Sequence, residues 1–192
     1  LEGKKIILYA GNHGYAHGLE VALQAAQLLT DPQVVLVLIG DGSEKTRLKQ
    51  MAQEMGLTNV RFLDPKPPAY ITRLYSLAVA GLSTLRNSPL FEMTRPVKIF
   101  AGMSCAKPIL YAGQGEGARL VEGARAGLVS LPEDAQTLAH NIMAVVQNPH
   151  LAEQLGQNGR RYVETHLSWS VLIENWLYQL QSQQPKAEKV PV

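Results

Sequence analysis

Apolar positions along the chain fall into two kinds of run: short unbroken ones, and longer ones at helical spacing. Val34 to Ile39 reads VVLVLI, six apolar residues in succession, stopped by Gly40-Asp41-Gly42. It is too short for a good helix, and its lack of alternation fits a parallel strand covered on both faces. Lys4 to Ala10 (KKIILYA) ends at Gly11 in the same way. Further strands are expected at Val60 to Leu63, Leu77 to Leu82, Pro108 to Tyr111 and Gly127 to Ser130. Helical stretches separate them: Leu19 to Leu29, Ser43 to Met55, Tyr70 to Tyr75, Pro96 to Ser104, Ala118 to Ala124 and Ala135 to Val146. Ser43-Glu44 is the expected N-cap and Gly56 the stop of the second, while Pro67-Pro68 suits the first turn of the third. Strand and helix alternating this regularly predict βαβ units with right-handed crossovers, hence an α/β fold with a doubly wound parallel sheet.

The last third adds a C-terminal helical segment. Pro149 to Thr165 and Trp169 to Leu180 follow Ala135 to Val146 with little between them. Trp169, Leu172, Ile173, Trp176, Leu177 and Leu180 lie at helical spacing. That stripe either packs on its own domain or waits for a surface elsewhere. One domain is expected over residues 1–181, including terminal helices at 149–181. Residues 182–192 (SQQPKAEKVPV) have the polar, proline-containing composition of a disordered tail.

Net charge changes the picture only by exclusion. At +2, with both signs mixed along the chain, the sequence lacks the dense basic character of a nucleic-acid binder. Cys105 is the only cysteine, so neither an intrachain disulfide nor a cysteine-paired zinc cluster can form, which fits a reducing compartment. No apolar run approaches the length of a membrane span. The start, Leu1-Glu2-Gly3-Lys4-Lys5, has neither an initiator Met nor a signal peptide and suggests a part of something longer.

Ligands of open parallel sheets bind beyond the carboxyl ends of the strands, so the loops there are the candidates. Gly11-Asn12-His13-Gly14 follows the first strand and leads toward a helix whose start carries Gly18. Glycines let backbone N–H groups approach a phosphate, although plain turn chemistry accounts for this loop equally well. The spacing does not match the dinucleotide fingerprint, and no acidic residue ends the second strand to grip a ribose. Gly113-Gln114-Gly115-Glu116-Gly117-Ala118 offers a nest of N–H donors suited to a diphosphate or a sugar hydroxyl, with Glu116 otherwise serving as helix-start charge. In the loop Arg86 to Lys98, Pro96 presets a helix and puts Lys98 in its first turn, where a cation opposes the dipole. An anion facing Lys98 explains it better than solvent alone, and Arg86 and Arg95 are expected to join it. His13 and His17, four apart with no third partner, are loop residues rather than metal ligands.

Three segments in this order carry a resemblance: YAGNHGYAHGLEVALQAAQLL at Tyr9 to Leu29, VLIGDGSEKTRLKQMAQEMGLTNVRFL at Val37 to Leu63, and PVKIFAGMSCAKPILYAGQGEGARLVEGARAGLVSLPED at Pro96 to Asp134. Together they resemble the carboxy-terminal, donor-binding domain of GT-B-fold glycosyltransferases, family 4 (group 1), in the branch that builds bacterial surface polysaccharides. The resemblance implies a Rossmann-like domain and a UDP- or GDP-linked sugar as donor, with no metal or other cofactor. It implies hexosyl transfer with retention, in surface polysaccharide or glycoconjugate synthesis. The base would lie near Asp64 and Pro65. The diphosphate would meet Gly11, Gly14, Lys98 and N–H groups around Gly115 to Gly117, with Asn12, His13, Glu116 and Ala118 also among the donor-binding residues. Lys98, helped by Arg95, would stabilise the leaving diphosphate.

The resemblance also implies an amino-terminal acceptor-binding domain before Leu1 as partner, with the last helix crossing back onto it. The chain by itself would then be inactive. A cytoplasmic location follows, with the inner face of the membrane open to a full-length enzyme as a peripheral site. The sequence departs from the family where two glutamates eight apart are common. Those places fall near Met93 and at Ala101, with Glu92 adjacent to the first. Ser104 and Ala106 replace the usual Ala and Gly at the end of that helix. Losing the ribose contact of the second glutamate would cost about 1 kcal/mol or more. A divergent, non-catalytic nucleotide-sugar-binding or scaffolding module is therefore the alternative, and a nucleotide-sugar 2-epimerase a more distant one.

Overall fold

The computed structural model describes residues 1–182, and the expected tail beyond Ser182 lies outside the described residues. Six strands form one sheet: β1 (Lys5–Ala10), β2 (Val34–Ile39), β3 (Val60–Leu63), β4 (Ala78–Thr84), β5 (Ile109–Ala112) and β6 (Gly127–Ser130). Their order is β3-β2-β1-β4-β5-β6 and every pairing is parallel. The helices between and after them are α1 (Glu20–Leu28), α2 (Lys45–Glu54), α3 (Pro68–Leu77), α4 (Val97–Ser104), α5 (Glu116–Gly123), α6 (Ala135–Gln147), α7 (Pro149–His166) and α8 (Trp169–Ser182). The order of winding reverses between β1 and β4, which puts a crevice at their carboxyl ends.

The unbroken apolar runs are explained by two covered faces. Ile7, Tyr9, Leu36 and Leu38 pack with α1, α2 and α6. Ile6, Leu8, Val35, Val37 and Ile39 turn the other way, toward Tyr75 of α3 and Ala101 of α4. Ile109 and Tyr111 carry that second face on to Ile99 and Met103 of α4 and Val121 of α5. Helix α7 straps one edge, joining Ala152 and Leu155 to the first face and Tyr162 and Val163 to the second.

Several boundaries differ from the expectation. Leu77 belongs to α3 and is 67% exposed, and β4 starts without a connecting loop. Helix α5 begins at Glu116, two residues before Ala118, because Gly115 takes φ 74° and turns the chain directly into the helix. Ser43 does not cap α2: the cap position falls on Glu44, with no side-chain bond. Gly56 does stop that helix, at φ 65°, with Leu57 N–H donating to Ala52 O at 3.0 Å. The helix α4 ends in the same motif on a non-glycine residue. Ala106 sits at φ 53° while Lys107 N–H donates to Gly102 O at 3.0 Å. Helix α8 buries none of its residues, with Trp169 81% and Trp176 59% exposed, so among the described residues its stripe is not covered by this domain.

Candidate functional site

At the carboxyl edge of the sheet, Gly11 leaves β1 at φ 151° with its N–H given to Ile39 O at 2.8 Å. A side chain there would collide with Lys98: a Cβ would lie 2.5 Å from Cε and 3.0 Å from Nζ. The bare backbone is what lets the Lys98 ammonium lie along the loop, 4.9 Å from the centre of the Tyr9 ring. Among the described residues no carboxylate pairs with Lys98. Burial pulls its pKa down to about 8, which leaves it mostly charged at neutral pH and without a counter-ion. Beside it, the N–H groups of Asn12, Gly14 and Tyr15 have no acceptor among the described residues.

His13, expected among the donor contacts, is instead completely buried. Its ring lies between those of Tyr9 (5.7 Å between centroids) and Phe62 (6.2 Å), and neither ring nitrogen has a partner among the described residues. Its N–H goes to Asp41 O and its carbonyl accepts from Glu44 N–H. His13 therefore supports the loop from beneath, through its ring contacts and its two backbone hydrogen bonds. Desolvation, then the nearby Lys45 charge, lowers its pKa to about 4, and desolvation, then Lys98, does the same to His17. Both rings are neutral at pH 7. Among the described residues no group of three or more His, Cys, Asp or Glu is placed to hold a metal ion.

A cleft of about 640 Å³ opens beside this loop, lined by Gly11, Gly40 and Asp41 on one side, Pro65 and Lys66 on another, and Ile71, Tyr75 and Ala101 along its floor. A smaller hollow joining Gly11, Lys98 and Ala101 adjoins it. Lys98, Gly11 and Pro65 are thus brought together. Asp64 is not in the wall; its carboxylate accepts from Lys45 Nζ at 2.8 Å. Ala101 is in the floor, so the position resembling the family's ribose-binding glutamate faces the cleft with a methyl group.

The second glycine loop is close by in the sheet but outside this lining. A Cβ on Gly115 would lie 2.1 Å from Glu92 O, so only glycine permits the loop to pack against the segment before α4. Glu116 N–H donates to Glu92 O at 2.6 Å and Gln114 Nε2 to Glu92 Oε1 at 3.0 Å. The N–H groups of Gly115, Gly117 and Ala118 are unclaimed among the described residues. Arg95 and Glu116, expected to serve the ligand separately, are bound to each other through Glu116 Oε2 at 2.6 and 3.0 Å, and Arg119 takes Oε1. Those pairs hold the Glu116 carboxyl below its usual range. Arg86, expected beside Lys98, instead stacks on Tyr15, donates to Tyr15 O at 2.7 Å and pairs with Glu20. The loop it secures is the one Lys98 lies on.

Sequence reasoning missed Lys45. Its side chain is 9% exposed, yet its ammonium donates to Gly40 O at 2.7 Å, to Asp64 at 2.8 Å and to Leu63 O at 3.4 Å. The signal was present: like Lys98, Lys45 is a cation in the first turn of a helix and needs an anionic or carbonyl partner to offset the dipole.

The family model described as "Glycosyl transferases group 1" matches residues 1–162. The chain is 46% identical over 61 residues to the putative colanic acid biosynthesis glycosyl transferase WcaI of Escherichia coli K12, covering 32% of this chain and 15% of that protein. It is 26% identical over 178 residues to the O-antigen chain mannosyltransferase C of Escherichia coli, covering 91% and 46%. Among solved structures, Anabaena Alr3699/HepE in complex with UDP superposes with a TM-score of 0.81 at 21% identity, covering 94% of this chain and 49% of that one. The chain spans about half the length, or less, of the curated relatives it matches.

Proposed function

From a chain that belongs to the group 1 glycosyltransferases, on the GT-B Rossmann-like fold, we propose that these residues form the half that holds a nucleoside-diphosphate-sugar donor. The observation that carries this is Lys98: a half-buried ammonium with no counter-ion among the described residues, lying against bare Gly11 backbone and flanked by unclaimed N–H groups. An uncompensated, partly desolvated cation among amide donors is a site for an anion. The diphosphate rests between Gly11, Asn12, Gly14 and Lys98, the nucleoside enters the cleft toward Pro65, and the sugar points to the Gly115–Ala118 turn. When the anomeric bond breaks, the diphosphate leaves with the bonding electrons, and Lys98 stabilises the charge that develops on it. Arg95 contributes to that site once its hold on Glu116 is exchanged for phosphate.

Transfer to a surface-polysaccharide or glycoconjugate acceptor fits the polysaccharide enzymes among the relatives. Retention at the anomeric carbon is the outcome the resemblance implies. The acceptor site and any membrane attachment belong to the rest of a full-length enzyme; among the described residues no helix is long and apolar enough to cross a membrane. Ala101 on the cleft floor favours one second reading, a module that binds donor weakly and serves as a scaffold.

Titration of the chain with UDP and GDP, followed by amide shifts at Gly14, Lys98 and Gly117, tests the donor reading. Binding that disappears in Lys98→Ala supports it; no binding of either nucleotide at millimolar concentration overturns it. Activity of a full-length enzyme on a nucleotide sugar separates catalysis from scaffolding.

A further inference from the structure

The buried ammonium of Lys45 has no place in the chemistry above, and its surroundings suggest what it does. It stands where β2 and β3 end side by side, and its three N–H groups meet three acceptors from the two chain exits: Gly40 O at 2.7 Å, Leu63 O at 3.4 Å and Asp64 Oδ1 at 2.8 Å. Past this point the two chains form separate lips of the cleft, Gly40-Asp41 on one and Pro65-Lys66 on the other. The ladder between the strands has its last bond here, Gly40 N–H to Leu63 O at 3.1 Å. Beyond that bond, Lys45 is the link that ties the lips together.

A buried ammonium is retained only where its hydrogen bonds and a counter-charge offset its desolvation. Lys45 satisfies both conditions, with two carbonyls and one carboxylate. Asp64, by contrast, is 83% exposed and has no other hydrogen-bond partner among the described residues, so Lys45 is the side chain that ties the Asp64-Pro65-Lys66 turn to the end of β2. Lys45 and Asp64 lie nineteen residues apart, so their pairing joins two segments that the ladder connects only as far as Leu63.

We propose that Lys45 is a positioning residue for the nucleoside end of the donor: it sets the gap between the Gly40-Asp41 and Pro65-Lys66 lips and so governs base affinity without touching phosphate. The proposal rests on the donor reading above. It separates the cleft into a phosphate end, made by Gly11 and Lys98, and a base end whose width Lys45 sets from behind.

The test is calorimetric titration of the chain, its Lys45→Met variant and its Asp64→Asn variant with UDP, GDP and inorganic pyrophosphate. Lys45→Met keeps most of the side-chain volume and removes the three donors. The expected result is about a tenfold loss of affinity for the better nucleotide, the scale of a lost charged hydrogen bond, with pyrophosphate affinity within about twofold of wild type. Equal losses for nucleotide and pyrophosphate, or no loss for either, overturn the proposal. If Lys45→Met shows no cooperative thermal transition, Asp64→Asn decides. A roughly threefold loss confined to the nucleotide supports the positioning role, and unchanged nucleotide affinity overturns it. Wild-type chain that binds neither nucleotide overturns the donor reading itself, a result distinct from any difference between variants.

Discussion

Replacing Lys98 by methionine should make the unliganded fold more stable and its ligand binding worse. The methylene stem that lies along Gly11 and over the Tyr9 ring is largely preserved, so packing changes little. What disappears is a charge whose pKa burial has pulled from 10.5 to about 8. A shift of that size corresponds to about 3 kcal/mol of penalty at neutral pH, and screening of a half-buried ammonium reduces it to about 1–2 kcal/mol. The sign follows from proton uptake. Between about pH 8 and 10.5 the unfolded chain holds the Lys98 proton and the folded chain does not, so wild-type stability rises across that window. Lys98→Met should lack that rise and start from the higher level.

Scanning calorimetry at pH 7 should therefore show the variant melting about 2–8 °C above wild type. Nucleotide affinity should move the opposite way, by about 10- to 100-fold, as a charge-assisted contact to the diphosphate is lost. Wild-type affinity should itself decline as pH rises through about 8. A variant that melts lower than wild type, or that binds nucleotide unchanged, refutes the reasoning. Either result would mean that the ammonium has a partner in solution and is not held open for an anion.

The buried histidines give an acid-side counterpart. Because the His13 pKa is about 4 when folded against 6.5 when unfolded, the chain should lose about 2 kcal/mol on going from pH 7 to 5 from His13 alone, with His17 adding to it; urea melts with a flat profile over that range refute the neutral, buried assignment. Ala101→Glu returns a carboxylate to the cleft floor and should tighten nucleotide binding by about fivefold, read by calorimetry; unchanged or weaker binding places the ribose elsewhere. Ala106→Gly relieves a left-handed residue at the end of α4 and should stabilise by about 0.5–1 kcal/mol in thermal melts, and a lower melting temperature would contradict the strain at φ 53°.

Much of this protein could be read from residue order alone. VVLVLI at Val34–Ile39 and the segments Val60–Leu63 and Gly127–Ser130 had their ends fixed by flanking turn residues, and the structure keeps those bounds. A local argument about a cation at a helix start singles out Lys98, and the same argument applies to Lys45. The errors lie where a local signal was outvoted by contacts distant in sequence. Ser43 looked like a cap, yet Glu44 N–H is taken by the carbonyl of buried His13 and the helix starts one residue later than a serine cap requires. Arg86 looked like a phosphate ligand, and Arg95 like one with no other partner, because charge alone says nothing about which carboxylate folding will bring near. Glu20 and Glu116 claim them.

Periodicity and punctuation determined the alternation of elements, because burial on one or two faces is written into which positions are apolar. Strand order, the crevice between β1 and β4 and the pairing of Lys45 with Asp64 came from packing the sheet, since parallel neighbours are joined by crossovers that bring distant segments together. The fate of the Trp169–Leu180 stripe was also decided there. The sequence shows an apolar face, but only the folded domain shows that the described residues leave that face uncovered.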